Sequence, residues 1–400
     1  MLQPMPTDSV LDAAREQMDD AIELRRRLHR APELGLFNPR TQEAIVDALE
    51  GLDLDLTTGT ATTSVVAVMD GGLPGPTLLL RADMDGLPMH EDTGLDFASG
   101  VDDAMHACGH DAHVAMLVGA AKLLHERRGE LAGRIAFAFQ PGEEGHHGAR
   151  VMLEEGLLDG AGAPTAAFAI HITPTIPSGW IATRPGPFMA SADVLRITVR
   201  GRGGHASMPH QALDPIPVAC EIVGAIQAMV TRTVDAFDPA VVTIARIEAG
   251  TTNNVIPETA ELTGTIRTVS EATRSLVLEG LRTLAGGIAA AHGAEAEVDV
   301  EQGYPVTVND TGFAGFAEDV ARQVVGEAST VRMPSPVMGA EDFSYWLQRV
   351  PGAMVFLGAS PGPGPAAPNH SNRMVLDEGA MASGIAMHSA VALRHLDPGT

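Results

Sequence analysis

The chain has 400 residues, of which 45% are hydrophobic and 19% are charged, as in an ordinary globular protein of two or three domains. Fifty-one acidic residues against 26 basic ones give a formal net charge of −25. This balance argues against nucleic acid and against an anionic membrane as partners, because both bind through a basic surface.

The cysteine content and the N-terminus bear on the compartment. Cys108 and Cys220 are too few for a disulfide framework and are typical of a reducing environment. The apolar run around Cys220 predicts a buried helix residue. Met1–Val10 has no basic start and no apolar core, so the sequence predicts no secretory signal, and no apolar run approaches the roughly 20 residues that span a bilayer. We therefore expect a cytoplasmic protein.

The first half of the chain alternates helices and strands. The hydrophobic periodicity predicts helices over 12–29, 41–52, 114–128 and 149–155, and strands over 64–69, 77–80, 134–139 and 166–170. This alternation predicts a parallel-rich α/β sheet with helices on both faces. Polar side chains follow the strands, at the edge where open α/β sheets bind ligands: Asp83, Glu143, Glu144 and His171.

The pattern changes near residue 193. The predicted order becomes β-α-β-β-α-β, with strands over 194–200, 241–248, 258–267 and 295–300 and with helices that begin at Pro215 and after Ser270. This is the order of a ferredoxin-like α+β unit, so we expect a separate domain inserted into the first. The tail then adds a strand over 353–357, a loop rich in Pro and Gly that leads to His370, and a helix over 378–396.

The stretch from Met105 to His113 has the highest density of metal-binding side chains. It packs one thiol, three imidazoles and a carboxylate into nine residues. Cys and His suit zinc and its neighbours in the transition series. Cys108 and His110 are two positions apart, so both could face one point. The alternative is a polar loop with incidental histidines.

Five side chains at one side of the predicted sheet are candidate ligands: Cys108, His110, Glu144, His171 and His370. That number suits two ions with open positions, and a pair of ions activates water near neutral pH. Glu143, beside Glu144, is then a natural general base. The alternative for both glutamates is a solvated helix start, with the acids near the positive end of the helix dipole.

Several segments resemble, in the same order, the motifs of one family: the amidohydrolase branch of the metal-dependent aminoacylase and carboxypeptidase superfamily. The segments are Arg25–Leu28 with Pro32–Leu34, Arg81–Pro88, His106–His113, Gln140–Gly145, Gly203–His210, Asn254–Pro257, Gly264–Arg267 and Gly339–Phe343. The branch includes hippurate hydrolases, indole-acetyl-amino-acid hydrolases and N-acetyl-diaminopimelate deacetylases. The resemblance covers nearly the whole chain. It implies a zinc-peptidase-like catalytic domain at 1–187 and 303–400, with a lid and dimerisation domain at 188–302.

The resemblance also implies a role for individual catalytic-domain residues. The five candidate ligands named above would hold the metal ions. Glu143 would be the general acid/base, and Asp85 an acid that orients a ligand. Asp83 is not among these ligands, because relatives elsewhere in the superfamily have His at that position.

Three residues of the inserted domain match family positions. His205 would reach the active site of the neighbouring subunit in a homodimer, while Asn254 and Arg267 would hold the substrate, Arg267 by its carboxylate. Without the resemblance, His205 is a turn residue and Arg267 a surface cation on a strand.

Two segments depart from the family pattern. His146 and His147 follow the paired glutamates, where family members commonly have small residues. After His370 the chain continues Ser371-Asn372-Arg373, where many relatives have Pro and Phe. These departures bear on substrate choice, because both segments flank candidate ligands.

The activity that the resemblance implies is hydrolysis of the amide bond of an N-acyl amino acid, of the acetyl, benzoyl or aryl-acetyl type. Two divalent ions (zinc, manganese, nickel or cobalt) and Glu143 would activate water, and the ions and His205 would stabilise the oxyanion. A dipeptidase or carboxypeptidase with the same site is one alternative. A cysteine hydrolase with Cys108 as nucleophile and a non-catalytic metal- or ligand-binding protein are the others.

Overall fold

The computed structural model describes residues 8–399. Residues 1–7, which include most of the segment predicted to lack a secretory signal, lie outside the described residues. The chain divides into two compact units. Unit 1 runs to Gly186 and also contains Val308–Ser335 and the chain from Tyr345 onward, and unit 2 comprises Pro187–Thr307 and Pro336–Ser344. Among the described helices, none has the length and apolar character to cross a membrane.

Helices and strands alternate along much of the chain. The α-helices are α1 (Asp8–Glu16), α2 (Met18–His29), α3 (Pro39–Ala48), α4 (His110–Glu126), α5 (Gly148–Glu154), α6 (Pro215–Thr233), α7 (Glu271–Ala291), α8 (Thr311–Val325), α9 (Ser344–Leu347) and α10 (Met381–His395). The strands are β1 (Asp55–Thr58), β2 (Val65–Asp70), β3 (Leu73–Asp83), β4 (Ala132–Gln140), β5 (Pro164–Thr173), β6 (Ile181–Thr183), β7 (Gly186–Met189), β8 (Asp193–Arg200), β9 (Gly204–His205), β10 (Ala240–Ala249), β11 (Val255–Ile256), β12 (Thr259–Thr268), β13 (Glu295–Gln302), β14 (Thr307–Asn309), β15 (Thr330–Arg332) and β16 (Gly352–Gly358).

Unit 1 is built on an eight-stranded sheet in the order β1-β2-β4-β3-β5-β16-β6-β15. The four central strands β4, β3, β5 and β16 are parallel neighbours, whereas β1–β2, β2–β4 and β16–β6 are antiparallel. The predicted α/β class is confirmed. β2 and β3 follow each other in the chain, but β4 lies between them in the sheet.

Small side chains let the helices pack close to one another. α4 is buried along most of its length, and α2 and α10 both pack against it. At Gly384 of α10 there is no room for a Cβ atom, because the side chain of Met116 on α4 occupies that space. With few aromatic residues in the chain, close helix contact replaces bulky side chains in filling the core.

The prediction of one continuous helix over 12–29 is wrong. The helix is interrupted at Gln17, which separates α1 from α2. α1 packs mainly against α10, whereas α2 packs against α4. The break therefore lets consecutive segments bury their apolar faces against different partners.

Unit 2 contains a four-stranded antiparallel sheet in the order β10-β12-β8-β13, with α6 and α7 packed on it. Both helices begin as predicted: Asp214 accepts a hydrogen bond from the backbone N–H of Ile216, and Ser270 accepts one from the backbone N–H of Thr273.

The prediction that Cys220 is buried is wrong. It is exposed on α6, because the buried stripe of that helix passes through Val218, Ala219, Ile222 and Ile226.

Candidate metal centre

The candidate ligands are carried by loops and strand ends at one edge of the central sheet. The parallel strands β3, β4 and β5 end there, at Asp83, Gln140 and Thr173. Cys108 lies just before α4 and His110 is the first residue of that helix. Gly109, between them, has a φ of +86°, and a Cβ there would collide with Ile172 of β5. A glycine is therefore required for the loop to approach β5 this closely.

The structure brings together all five predicted ligands, although Cys108 and His370 lie 262 positions apart in the chain (370 − 108). The potential ligand atoms of Cys108, His110 and His171 lie within 4.8 Å of one another, and so do those of Cys108, Glu144 and His370. Cys108 Sγ is 3.4 Å from His171 Nε2, and His370 Nε2 is 3.2 Å from Glu144 Oε1. The two groups of three candidate ligands therefore share the sulfur atom of Cys108.

His171 is held as a neutral imidazole. It lies within β5, not beyond the end of the strand as predicted, and its Nδ1 donates a hydrogen bond of 2.9 Å to the carbonyl oxygen of Ile172. Burial, with a contribution from nearby His113, lowers the pKa of His171 to about 3. The imidazole therefore presents an unprotonated Nε2 toward Cys108 Sγ.

His110 lies in a site with an excess of negative charge. It is fully buried, and its ring nitrogens have no hydrogen-bond partner among the described residues. Nδ1 is 3.5 Å from Asp85 Oδ1, and Nε2 is 3.5 Å from Asp83 Oδ2 and 3.9 Å from carboxylate oxygens of Glu143 and Glu144. Burial lowers the pKa of His110, but the carboxylates outweigh burial and raise it to about 10. Four carboxylates around one buried imidazole are a concentration of negative charge that fits a bound cation.

The loop after β4 holds the paired glutamates in different environments. The carboxylate of Asp85 accepts hydrogen bonds from the backbone N–H of Glu143 at 3.0 Å and of Glu144 at 3.1 Å. Glu143 is only 6% exposed, and α5 begins later, at Gly148. The alternative of a solvated helix start is therefore wrong for these two residues.

His113 belongs to the same motif, and both of its ring nitrogens are engaged in hydrogen bonds. Its Nε2 accepts a hydrogen bond of 2.7 Å from the backbone N–H of Ile172, so the proton of the neutral ring is on Nδ1. Nδ1 donates to Asp83 at 2.5 Å, and Arg81 donates to the other oxygen of Asp83 at 2.7 Å. Arg81 and the nearby histidines outweigh burial and keep the pKa of Asp83 well below its usual range.

Sequence reasoning missed a buried network behind the site. Asp111, next to His110, accepts hydrogen bonds from Arg25 Nε at 3.1 Å and from His29 Nδ1 at 2.8 Å. Burial lowers the pKa of His29, but Asp111 and Glu91 outweigh it and raise the pKa to about 9. The available signal was an Arg and a His on the face of α2 that also carries its buried leucines.

The two departures from the family pattern have different surroundings. His146 is exposed, whereas His147 has a φ of +56° and its Nδ1 is 2.9 Å from the hydroxyl of Tyr345. His370 also has a left-handed backbone, with a φ of +67°. Its side chain is 55% exposed, in contrast to the buried His110 and His171.

The three candidate residues of the inserted domain lie in unit 2. His205 is exposed on β9, and the hydroxyl of Ser207 lies 2.9 Å from its Nδ1. His205 pairs with Val255 of β11, and the exposed Asn254 comes immediately before Val255. Arg267 lies on β12 and is half-buried, which lowers its pKa. His205 and Asn254 are therefore neighbours, and Arg267 is not the fully exposed cation that the strand pattern alone suggests.

Known proteins resemble the chain over almost its whole length. The sequence pattern of peptidase family M20/M25/M40 matches residues 79–394. Thermostable carboxypeptidase 1 of Saccharolobus solfataricus is 40% identical over 385 residues, covering 95% of this chain and 96% of its own. N-acetylcysteine deacetylase of Bacillus subtilis is 42% identical over 340 residues, covering 85% and 88%. IAA-amino acid hydrolase ILR1-like 2 of Arabidopsis thaliana is 36% identical over 385 residues, covering 95% and 86%.

A solved structure resembles this chain over a similar share of its length. The YXEP protein of Bacillus subtilis, described as a dinuclear metal binding peptidase from the M20 family, superposes with a TM-score of 0.83. It is 36% identical to this chain, and the match covers 96% of this chain and 99% of that one.

Proposed function

The chain belongs to peptidase family M20/M25/M40, and from this premise we propose that it hydrolyses the amide bond of N-acyl amino acids with the help of two divalent metal ions. The products would be a carboxylate and a free amino acid. The observation that carries the proposal is the pair of three-ligand groups that share Cys108. N-acetylcysteine deacetylase and the IAA-amino acid hydrolase are relatives whose names describe this reaction class.

We propose that Cys108, His110 and His171 would hold one ion, and that Cys108, Glu144 and His370 would hold the other. When bound, such a pair of ions polarises the scissile carbonyl and lowers the pKa of water. The thiolate favours zinc, nickel or cobalt, and the family resemblance adds manganese.

Glu143 is proposed as the general acid/base. Its carboxylate oxygen lies 3.9 Å from His110 Nε2, so it borders the ligands while Glu144 serves as one of them. Burial keeps bulk water from its carboxylate, and Asp85 holds its backbone. Glu143 would take a proton from the attacking water and then donate it to the departing amine.

Three residues of unit 2 have proposed roles in the reaction. We propose that the protein is a homodimer through residues 188–302 and that His205 stabilises the oxyanion in the active site of the other protomer. Asn254 and Arg267 would bind the substrate, with Arg267 on the carboxylate of the amino acid. The support for these roles is the match of all three residues to family positions and the exposure of His205 and Asn254.

A carboxypeptidase or dipeptidase is the second candidate. The 40% identity to thermostable carboxypeptidase 1 favours it, and the same ligands and base would serve. The substrates share a free carboxylate beside the scissile amide, so the acyl group distinguishes the two functions.

A substrate and metal screen tests the proposal. Purified protein is assayed with acetyl, benzoyl and indole-acetyl amino acids and with dipeptides, after chelation and after addition of zinc, manganese, nickel or cobalt. We expect metal-dependent release of the amino acid from at least one N-acyl substrate, faster than from dipeptides. Faster dipeptide cleavage would favour the second candidate. Full activity after complete removal of metal would instead favour Cys108 as a nucleophile.

A further inference from the structure

Asn369, immediately before His370, contacts two other ligand-bearing segments. Its side-chain amide nitrogen lies 3.1 Å from the carbonyl oxygen of Cys108 and 3.2 Å from that of Ile172, the residue after His171. Both partners are acceptors, so the amide group that faces them is the NH2, which has two hydrogens to donate. One side chain therefore links three segments that are distant in the sequence.

His370 needs such a link more than the other histidines of the site. The preceding residues form a loop that is exposed at 361–365 and has no regular secondary structure. The ligand itself is 55% exposed and has a φ of +67°, a conformation that costs energy for a residue other than glycine. Its backbone N–H donates to the carbonyl oxygen of Ala107 at 2.7 Å, next to the carbonyl that Asn369 binds.

We propose that Asn369 is a positioning residue that fixes His370 in place to complete the metal site formed with Cys108 and Glu144, an inference that rests on the proposed two-metal function. Its amide holds the loop against the Cys108 and Ile172 carbonyls, and this fixes the direction in which His370 projects. The ion held by Cys108, His110 and His171 depends less on Asn369, because His110 and His171 are buried on α4 and β5, whereas His370 follows an exposed loop.

The substitution Asn369→Asp tests this role. A carboxylate has nearly the same shape as the amide but cannot donate a hydrogen bond, and it would repel both carbonyl oxygens. Asn369→Ala removes the donors without adding charge. Asn372→Asp is the matched control, because Asn372 is exposed on the same loop and the substitution changes the net charge equally.

The readout is metal release from the full-length, metal-loaded protein. Zinc-loaded wild type and variants are titrated with a chromogenic chelator, and the ions released per chain are counted, with thermal unfolding as a check on folding. In N369D, we expect one of the two ions to be released at a free chelator concentration about 10- to 100-fold lower than in wild type. This is the loss of metal affinity that is typical when a residue that orients a metal ligand is replaced. N369A should change in the same direction, and N372D should match wild type.

The possible failures are distinguishable. If folded N369D or N369A releases both ions at the same chelator concentrations as wild type, this inference is wrong and the proposed function stands. An equal loss of affinity for both ions would also overturn this inference, because that result indicates general loosening of the fold. A wild-type protein that holds no divalent ion would overturn the proposed function, and this inference with it.

Discussion

Asp85 binds the backbone N–H of Glu143 at 3.0 Å, and its second oxygen binds the next N–H at 3.1 Å. One carboxylate thus fixes two consecutive peptide groups, so that the two glutamate side chains can point to different targets. Asp85 also lies 3.5 Å from Nδ1 of His110. This residue, just beyond the end of β3, therefore organises both the proposed base and a proposed ligand.

Replacement of Asp85 by Asn should lower kcat/KM by about 10- to 100-fold, since an amide can accept one of the two N–H groups while its NH2 opposes the other. Steady-state kinetics on an N-acetyl amino acid, with metal analysis of the same sample, measures this. Exposed Asp102→Asn is the control. Wild-type kinetics for D85N would contradict the role of Asp85.

Replacement of Glu143 by Gln should reduce kcat by about 100- to 10,000-fold, the contribution typical of a general acid/base, while two ions remain bound. Glu144→Gln is the informative comparison, because loss of a ligand should instead release an ion. Parallel metal analysis and kinetics separate the two effects. Equal metal loss in both variants would exclude the division of roles between these neighbours.

Replacement of His113 by Ala should leave the number of bound ions unchanged, because both of its ring nitrogens are already used in hydrogen bonds. The cost should appear in stability, on the order of 1–3 kcal/mol for each buried atom that loses its partner, here Oδ1 of Asp83 and the N–H of Ile172. Denaturant unfolding and metal analysis test both statements. His171→Ala is the positive control for loss of an ion, and such a loss in H113A would contradict this prediction.

The raised pKa of His29, to about 9, predicts a pH dependence of stability at alkaline pH. Its folded value lies above its ordinary value of about 6.5, so protonation favours the folded state. That contribution, about 3 kcal/mol at most, is fully present below about pH 6.5 and is lost as pH rises through about 9. The stability difference between wild type and His29→Gln should therefore shrink over this window in metal-free protein, with exposed His210→Gln as control. A stability difference that stays constant over this pH window would contradict the raised pKa of His29.

The alternation of elements and the residue types were sufficient to predict the α/β class and to collect the five candidate ligands. Parallel strands place their carboxyl ends at one edge, whatever lies between them in the sequence, and this brings Glu144 and His171 together. Long-range pairings were not predictable. Arg25 and Asp111, or His113 and the peptide of Ile172, meet only when separate elements pack, and periodicity carries no information about such partners.

Cys220 shows a second limit. An apolar run around a cysteine resembles a buried segment, but in a helix only one face is covered. The buried residues of α6 recur at helical spacing through Val218, Ile222 and Ile226, and Cys220 is out of phase with them. The periodicity within the run, and not its average hydrophobicity, carried the relevant signal.

The parallel pairing of β16 with β5 has a consequence for biosynthesis. Phe356 is in register beside His171, although the chain between them includes all of unit 2. A ribosome must therefore synthesise that whole insertion before the strand beside His171 is available. The nascent main sheet stays incomplete until then, and its late closure over a long sequence separation favours slow folding. The same pairing should keep the two fragments associated if a protease cleaves the backbone once within the insertion.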